Sequence, residues 1–178
     1  GSIFPDDELL QLLKRAHRLQ IDFSIDAVGD LASVIRHGVE WEVVHNNILQ
    51  WKKLSETVPV VFGIHSTISL LNLTELESLY NYANDLNIKW TFYCLTGPDY
   101  LNIHQLPYEH RYRFIPQNAD KRTLNKLKKE IADVPQKEQY YETFLKATDI
   151  IDKYHKNSFK EVNPVMYNLI KLLEHQCR

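Results

Sequence analysis

The nine residues from Val58 to Ser66, Val-Pro-Val-Val-Phe-Gly-Ile-His-Ser, are apolar at nearly every position. A run of this kind reads as a strand buried in a parallel sheet, because parallel sheets are covered by the helices that connect their strands. Two further segments fit beside it. Leu19 to Asp26 alternates Ile21, Phe23 and Ile25 with Asp22, Ser24 and Asp26. Ile88 to Leu95 is rich in aromatic and β-favouring residues and stops at the turn signal Thr96-Gly97-Pro98-Asp99.

Amphipathic helices separate these strands. One begins near Asp6, where Asp6 and Asp7 suit a helix N-terminus and Leu9, Leu10, Leu13 and Ala16 give an apolar face. A second covers about 39–54, with Trp41, Val44, Ile48 and Trp51 on one side. A third follows Thr74-Glu75-Leu76-Glu77, which fits a capping box, and buries Leu76, Leu79, Tyr80 and Ala83. The order αβαβαβ predicts an α/β fold with right-handed crossovers. It is either a partial (β/α) barrel or an open parallel three-stranded βα unit.

After Pro107 no further strand is legible. Helices are expected at 120–132, 135–154 and 164–174, with Pro135 and Pro164 as first-turn prolines and Asn163 as an N-cap. The expected organisation is an α/β part over 1–107 and a helical extension over 108–178. With 178 residues and 44% apolar content, the chain can build a full core. A net charge of −2 gives no electrostatic case for nucleic acid or an anionic membrane, and no apolar run nears the ~18 residues of a membrane span. Cys94 and Cys177 are the only cysteines, too few for a disulfide framework, and a reducing cytoplasmic setting is expected. Gly1-Ser2 in place of an initiating Met reads as a cloning scar or a trimmed fragment of a longer parent.

Chemistry in parallel α/β folds sits at the carboxyl ends of strands. There this sequence places Ser24 and Asp26, then Arg36 twelve residues after the serine, and Thr67 and Ser69 after the second strand. A guanidinium matches a carboxylate bidentately, and a short hydroxyl lets a ligand approach closely. The alternatives are structural: Asp22 and Asp26 as loop caps or ion-pair partners, and Arg36 as a surface ion-pair residue. His37, His45 and His65 read as hydrogen-bonded structural histidines, Cys94 as a small buried hydrophobe, and Trp41 and Trp51 as core. Asn72-Leu73-Thr74 fits a glycosylation sequon, discounted for want of a secretion signal.

Ser24-Ile25-Asp26-Ala27, the pair Ile35-Arg36 and Thr67-Ile68-Ser69 together resemble the C-terminal half of a radical S-adenosylmethionine (SAM) enzyme barrel. The nearest likeness is to members with SPASM or twitch extensions, where the corresponding strand ends Ser-Ile-Asp-Gly; here Ala27 replaces the glycine. The resemblance covers roughly residues 3–97. It implies barrel strands five to seven, SAM as cofactor, Ser24 facing its ribose or carboxylate, Arg36 pairing with the carboxylate, and Thr67 and Ser69 on the adenosine side. The family's CxxxCxxC loop for the [4Fe–4S] cluster and its glycine-rich SAM motif are absent, so the cluster would belong to a missing N-terminal part. The implied function is a fragment of such an enzyme, inactive alone, acting on an unidentified small-molecule or peptide substrate. The rival expectation is a non-catalytic nucleotide- or protein-binding module derived from the barrel. Open sheet edges predict self-association unless the extension covers them.

Overall fold

The computed structural model describes residues 4–177; Gly1-Ser2 lies outside them. Three strands, β1 (Leu19–Ser24), β2 (Val60–Ile68) and β3 (Lys89–Cys94), form one parallel sheet in the order β1-β2-β3. Helix α1 (Asp7–Leu13) precedes β1, its N-cap Asp6 accepting from Leu9 N at 2.9 Å. Between β1 and β2 lie α2 (Asp30–Ile35) and α3 (Trp41–Leu54), and between β2 and β3 lies α4 (Leu76–Asp85). The fold is α/β with an open sheet. The short α2 has no expected counterpart; a positive φ of 62° at Gly29 turns the chain into it.

Both crossover helices lie on one face of the sheet and pack on each other. Trp41 and His45 of α3 meet the ring of Tyr82 on α4, and Lys52 Nζ donates to Leu86 O just beyond α4. Phe23, Ile64, Ile68, Trp90 and Phe92 point into this layer and are buried. Among the described residues the opposite face is bare. Gln20, Asp22, Ser24, Val61, His65, Lys89 and Tyr93 are exposed there, Val61 at 51% and Tyr93 at 60%. The apolar run in β2 is therefore covered on one side only, a correction to the doubly buried strand expected from composition. The strand also sits two residues later than expected, starting at Val60.

Two other expectations change. The capping box at Thr74 does not form: residues Leu73–Glu75 make a 3₁₀ turn, and Thr74 Oγ1 reaches only Glu75 Oε1 at 3.5 Å. Pro135 starts no helix, because α7 begins at Tyr141. Residues 136–140 are instead held out of helix by the buried Gln105 and its neighbour. Lys137 N donates to His104 O at 2.8 Å, Gln136 Nε2 to Gln105 O at 3.0 Å, and Tyr140 N to Gln105 Oε1 at 2.8 Å.

After β3 the chain forms α5 (Tyr108–Tyr112), α6 (Lys121–Leu127) continued by a π turn (Lys128–Ala132), α7 (Tyr141–Asp152), α8 (Phe159–Val162) and α9 (Pro164–Gln176). Asn163 caps α9, as expected, and Asp120, expected as the first helical residue, caps α6 instead. This helical stretch shares the sheet's core: Ile131, Phe144, Phe159, Met166 and Ile170 belong to the cluster that contains Phe23 and Ile64. It also touches the edge of β3, where Lys126 Nζ donates to Phe92 O at 2.7 Å and Cys94 Sγ to Glu130 O at 3.5 Å. Of these two contacts, one occupies a backbone group of the edge strand, the Phe92 carbonyl.

The π turn leaves carbonyls without helical partners, and buried side chains take them. His104 Nε2 lies 2.8 Å from Glu130 O, Arg111 Nη1 donates to Ile131 O at 2.6 Å, and Nη2 donates to Val134 O at 2.7 Å. Arg111 is 1% exposed, and its charge answers the negative end of this helix. Arg111→Met keeps the bulk and strips both donors, so it is expected to cost about 2–4 kcal/mol in urea unfolding. A cost under about 1 kcal/mol would show that the guanidinium does not hold the π turn.

Candidate functional site

The strand ends converge on one polar knot. Beyond β1 the backbone continues to Ile25, whose N donates to His65 O at 3.0 Å, and then turns Asp26 inward. Asp26 is buried there, while Asp22 and Ser24 are exposed. Its Oδ1 accepts from Thr67 N at 2.7 Å, and its Oδ2 accepts from Arg36 Nε at 2.8 Å and Nη2 at 2.7 Å. The Asp26 side chain is 10% exposed and that of Arg36 46%, so one edge of the guanidinium still faces solvent.

Asn72 completes the knot. It is fully buried; its Nδ2 donates to Asp26 O at 2.7 Å and Thr67 O at 2.9 Å, and its Oδ1 accepts from Ser69 N at 2.7 Å. With its carboxamide committed and sealed from solvent, it offers nothing to a glycosyl group. The sequence shows Asn72 only as part of a sequon, and no local signal marks it as the link between two strand ends. Ser69 is buried in the same turn, its Oγ accepting from Leu71 N at 3.3 Å.

Beside the knot is a cavity of about 80 Å³ lined by Ser24, Asp26, Ile35, Arg36, Trp41 and Val44, among others. It thus gathers three of the five residues expected to bind a ligand. Thr67 and Ser69 do not line it: Thr67 contributes its backbone to the knot, and Ser69 is buried in the turn. Trp41, read from the sequence as core alone, is half-buried and forms a wall. Its indole packs against His45 and Tyr82, whose Nδ1 and hydroxyl lie 2.9 Å apart. Burial pushes the Tyr82 hydroxyl up to about 12, so it stays protonated at neutral pH. The cavity itself presents the Ser24 hydroxyl, the Asp26 carboxylate and the Arg36 guanidinium against the wall of Trp41, Ile35 and Val44.

On the bare face, His65 is exposed rather than buried, because the alternation of β2 turns it away from the helices. Cys94 is half-buried, and burial with the nearby Glu130 carboxylate pushes its thiol up to about 12. Among the described residues no group of three or more His, Cys, Asp or Glu is placed to hold a metal ion, and no helix is long and apolar enough to cross a membrane. No protein-family model, curated protein or solved structure matches this chain.

Two outcomes follow from these contacts. Asn72→Ala removes a buried carboxamide and strands two carbonyls and an amide, so about 2–4 kcal/mol of stability is expected to be lost in denaturant unfolding. A thiolate-selective reagent at pH 7.5 is expected to label the exposed Cys177 before Cys94, since the Cys94 thiol carries almost no thiolate there. Equal labelling rates in single-cysteine variants would contradict that environment.

Proposed function

We propose that the Ser24–Asp26–Arg36 cavity binds the amino-acid end of a small molecule, and that the chain is the SAM-contacting C-terminal part of a radical SAM barrel, not catalytic by itself. The observation that carries this reading is the pairing of a half-exposed guanidinium with a carboxylate at the carboxyl end of β1. An α-amino acid group is a zwitterion. Its carboxylate finds the free edge of Arg36, and its ammonium finds the negative side of Asp26.

The fit is to that end only. A cavity of about 80 Å³ is several times the ~10–15 Å³ that one water requires, enough to seat a carboxylate. The rest of SAM would lie outside it, over Ser24 and the open end of the sheet. Bound SAM with its cluster would supply a 5′-deoxyadenosyl radical; the residues here bind and orient. Ser24 offers a hydroxyl at the strand end, Trp41 and Ile35 exclude water from one side, and Asp26 fixes the guanidinium plane.

A rival reading makes the chain a stand-alone, non-catalytic nucleotide- or protein-binding module. It is favoured by the single core joining the sheet to the helices after Pro107, since a unit that closes its own core has no need of a larger barrel. Both readings use the same cavity and differ in what completes the ligand site.

Calorimetric titration with SAM tests the first. Arg36→Gln is expected to weaken binding by about 1–3 kcal/mol, the lower part of the range for a charged contact because Arg36 is half-exposed. Ser24→Ala is expected to cost only about 0.5–1.5 kcal/mol. If Arg36→Gln lowers thermal stability yet leaves SAM affinity unchanged, the guanidinium only locks Asp26 and the ligand role is lost.

A further inference from the structure

A second polar chain crosses the bare face of the sheet, apart from the Asp26–Arg36 pair. Gln20 Nε2 donates to Asp22 Oδ2 at 2.9 Å, Asp22 Oδ1 lies 3.1 Å from His65 Nε2, and His65 Nδ1 lies 2.6 Å from Thr91 Oγ1. Thr91 Oγ1 in turn reaches Ile64 O at 3.3 Å. The four side chains come from all three strands, and register brings them together: Ser24 pairs with His65, and His65 with Thr91.

The direction of this chain is informative. A carbonyl oxygen only accepts, so Thr91 donates its hydroxyl proton to Ile64 O when it bonds there. Thr91 Oγ1 then accepts from His65 Nδ1–H. In a neutral imidazole with its proton on Nδ1, the Nε2 lone pair points at Asp22 Oδ1, which is also an acceptor. Two acceptors 3.1 Å apart call for a positive charge between them, either a second imidazole proton or a cation. In the opposite tautomer Thr91 donates to Nδ1 at 2.6 Å and Nε2–H donates to Asp22, at the loss of only the longer 3.3 Å contact to Ile64 O; a metal ion would take the place of that Nε2 proton.

We propose that Asp22 Oδ1 and His65 Nε2 are two ligands of a borderline divalent transition-metal site of the zinc type, with water in the remaining positions. Tetrahedral zinc with ligands about 2.0–2.1 Å away sets neighbouring ligand atoms roughly 3.3 Å apart, close to the spacing already present. One imidazole nitrogen and one carboxylate oxygen suit zinc, cobalt or nickel better than calcium or magnesium, which take all-oxygen shells. Each ligand is oriented from behind, His65 by Thr91 and Asp22 by Gln20, the outer-shell support that metal ligands carry. The side chains are 46% and 38% exposed, so an ion has direct access.

Gly63 makes the juxtaposition feasible. It lies between the two ligands on β2, and a methyl group there would collide with the Asp22 carboxylate and come within 3.4 Å of His65 Nε2. Lys89 is in register with Gly63 across the β2–β3 pair and exposed on the same face. It weakens any cation bound beside it. The site is consequently one of modest affinity, tuned by a neighbouring ammonium.

Titration of the full chain with Zn²⁺, and separately Ni²⁺, by calorimetry at pH 7.5 tests the proposal. One equivalent is expected to bind, with affinity falling at least tenfold in Asp22→Asn and in His65→Asn. Thr91→Val keeps both ligands but removes the orienting hydroxyl, and a drop of about tenfold or more is expected. Gly63→Ala is expected to weaken binding by displacing Asp22, and Lys89→Gln to tighten it. Circular dichroism confirms the fold of each variant. Long-range imidazole ¹⁵N spectra supply the second measurement: Zn²⁺ is expected to fix His65 with its proton on Nδ1. No binding by the native chain at millimolar metal overturns the proposal. So does binding that survives both ligand variants, because the ion then sits elsewhere, as at the His37–His155 ring pair.

Discussion

The carboxamide of Asn72 is the constraint on which the site depends. A parallel sheet leaves the carboxyl ends of its strands with unpaired backbone groups, and water or side chains must satisfy them. Here one buried side chain takes the carbonyl after β1, a carbonyl near the end of β2 and the amide of the following turn. Asp26 adds a second tie, from its own carboxylate to Thr67 N. With the backbone fixed from both sides, the Asp26 carboxylate has one orientation, and Arg36 is drawn to it. The cavity follows from the knot rather than the reverse.

The sheet is laced on its other levels too. On the helix side, Trp90 Nε1 donates to Ser66 Oγ at 2.9 Å and Ser66 Oγ donates to Ile25 O at 2.5 Å, a buried path from β3 through β2 to the end of β1. On the bare side the Thr91–His65–Asp22–Gln20 chain makes a parallel crossing. Trp90 and Thr91 are adjacent in sequence, as are His65 and Ser66, so strand alternation sends one member of each pair to either face. The buried path is satisfied and inert; the exposed one keeps a carboxylate and an imidazole within reach of solvent.

Much of the framework is legible in the sequence. The three strands, the long crossover helices and the caps at Asp6 and Asn163 follow from apolar periodicity and cap chemistry. Failures occur where tertiary contacts decide. Val58 to Ser66 looks doubly buried because composition cannot tell whether a second helix layer exists. Pro135 has the right residue type for a helix start, but Gln105 captures the following backbone in another conformation. At the site, Ser24, Asp26 and Arg36 are near enough in sequence to be read as a group. Asn72, 46 residues from Asp26, and Thr91, 26 residues from His65, have no local signature, since their meaning comes only from register.

Gln105 has a wider consequence. It holds the carbonyls of Asp99 and Tyr100 through its own amide, and it receives Tyr140 N and the Tyr141 hydroxyl at 2.9 Å. These bonds stitch the loop after β3 to the start of α7 across the point where the strands give way to helices. A hinge at Pro107 would have to break them together in a buried setting. The helical half is thus tied to the sheet by these bonds as well as by the shared core, so separating the two would cost polar bonds and apolar burial together.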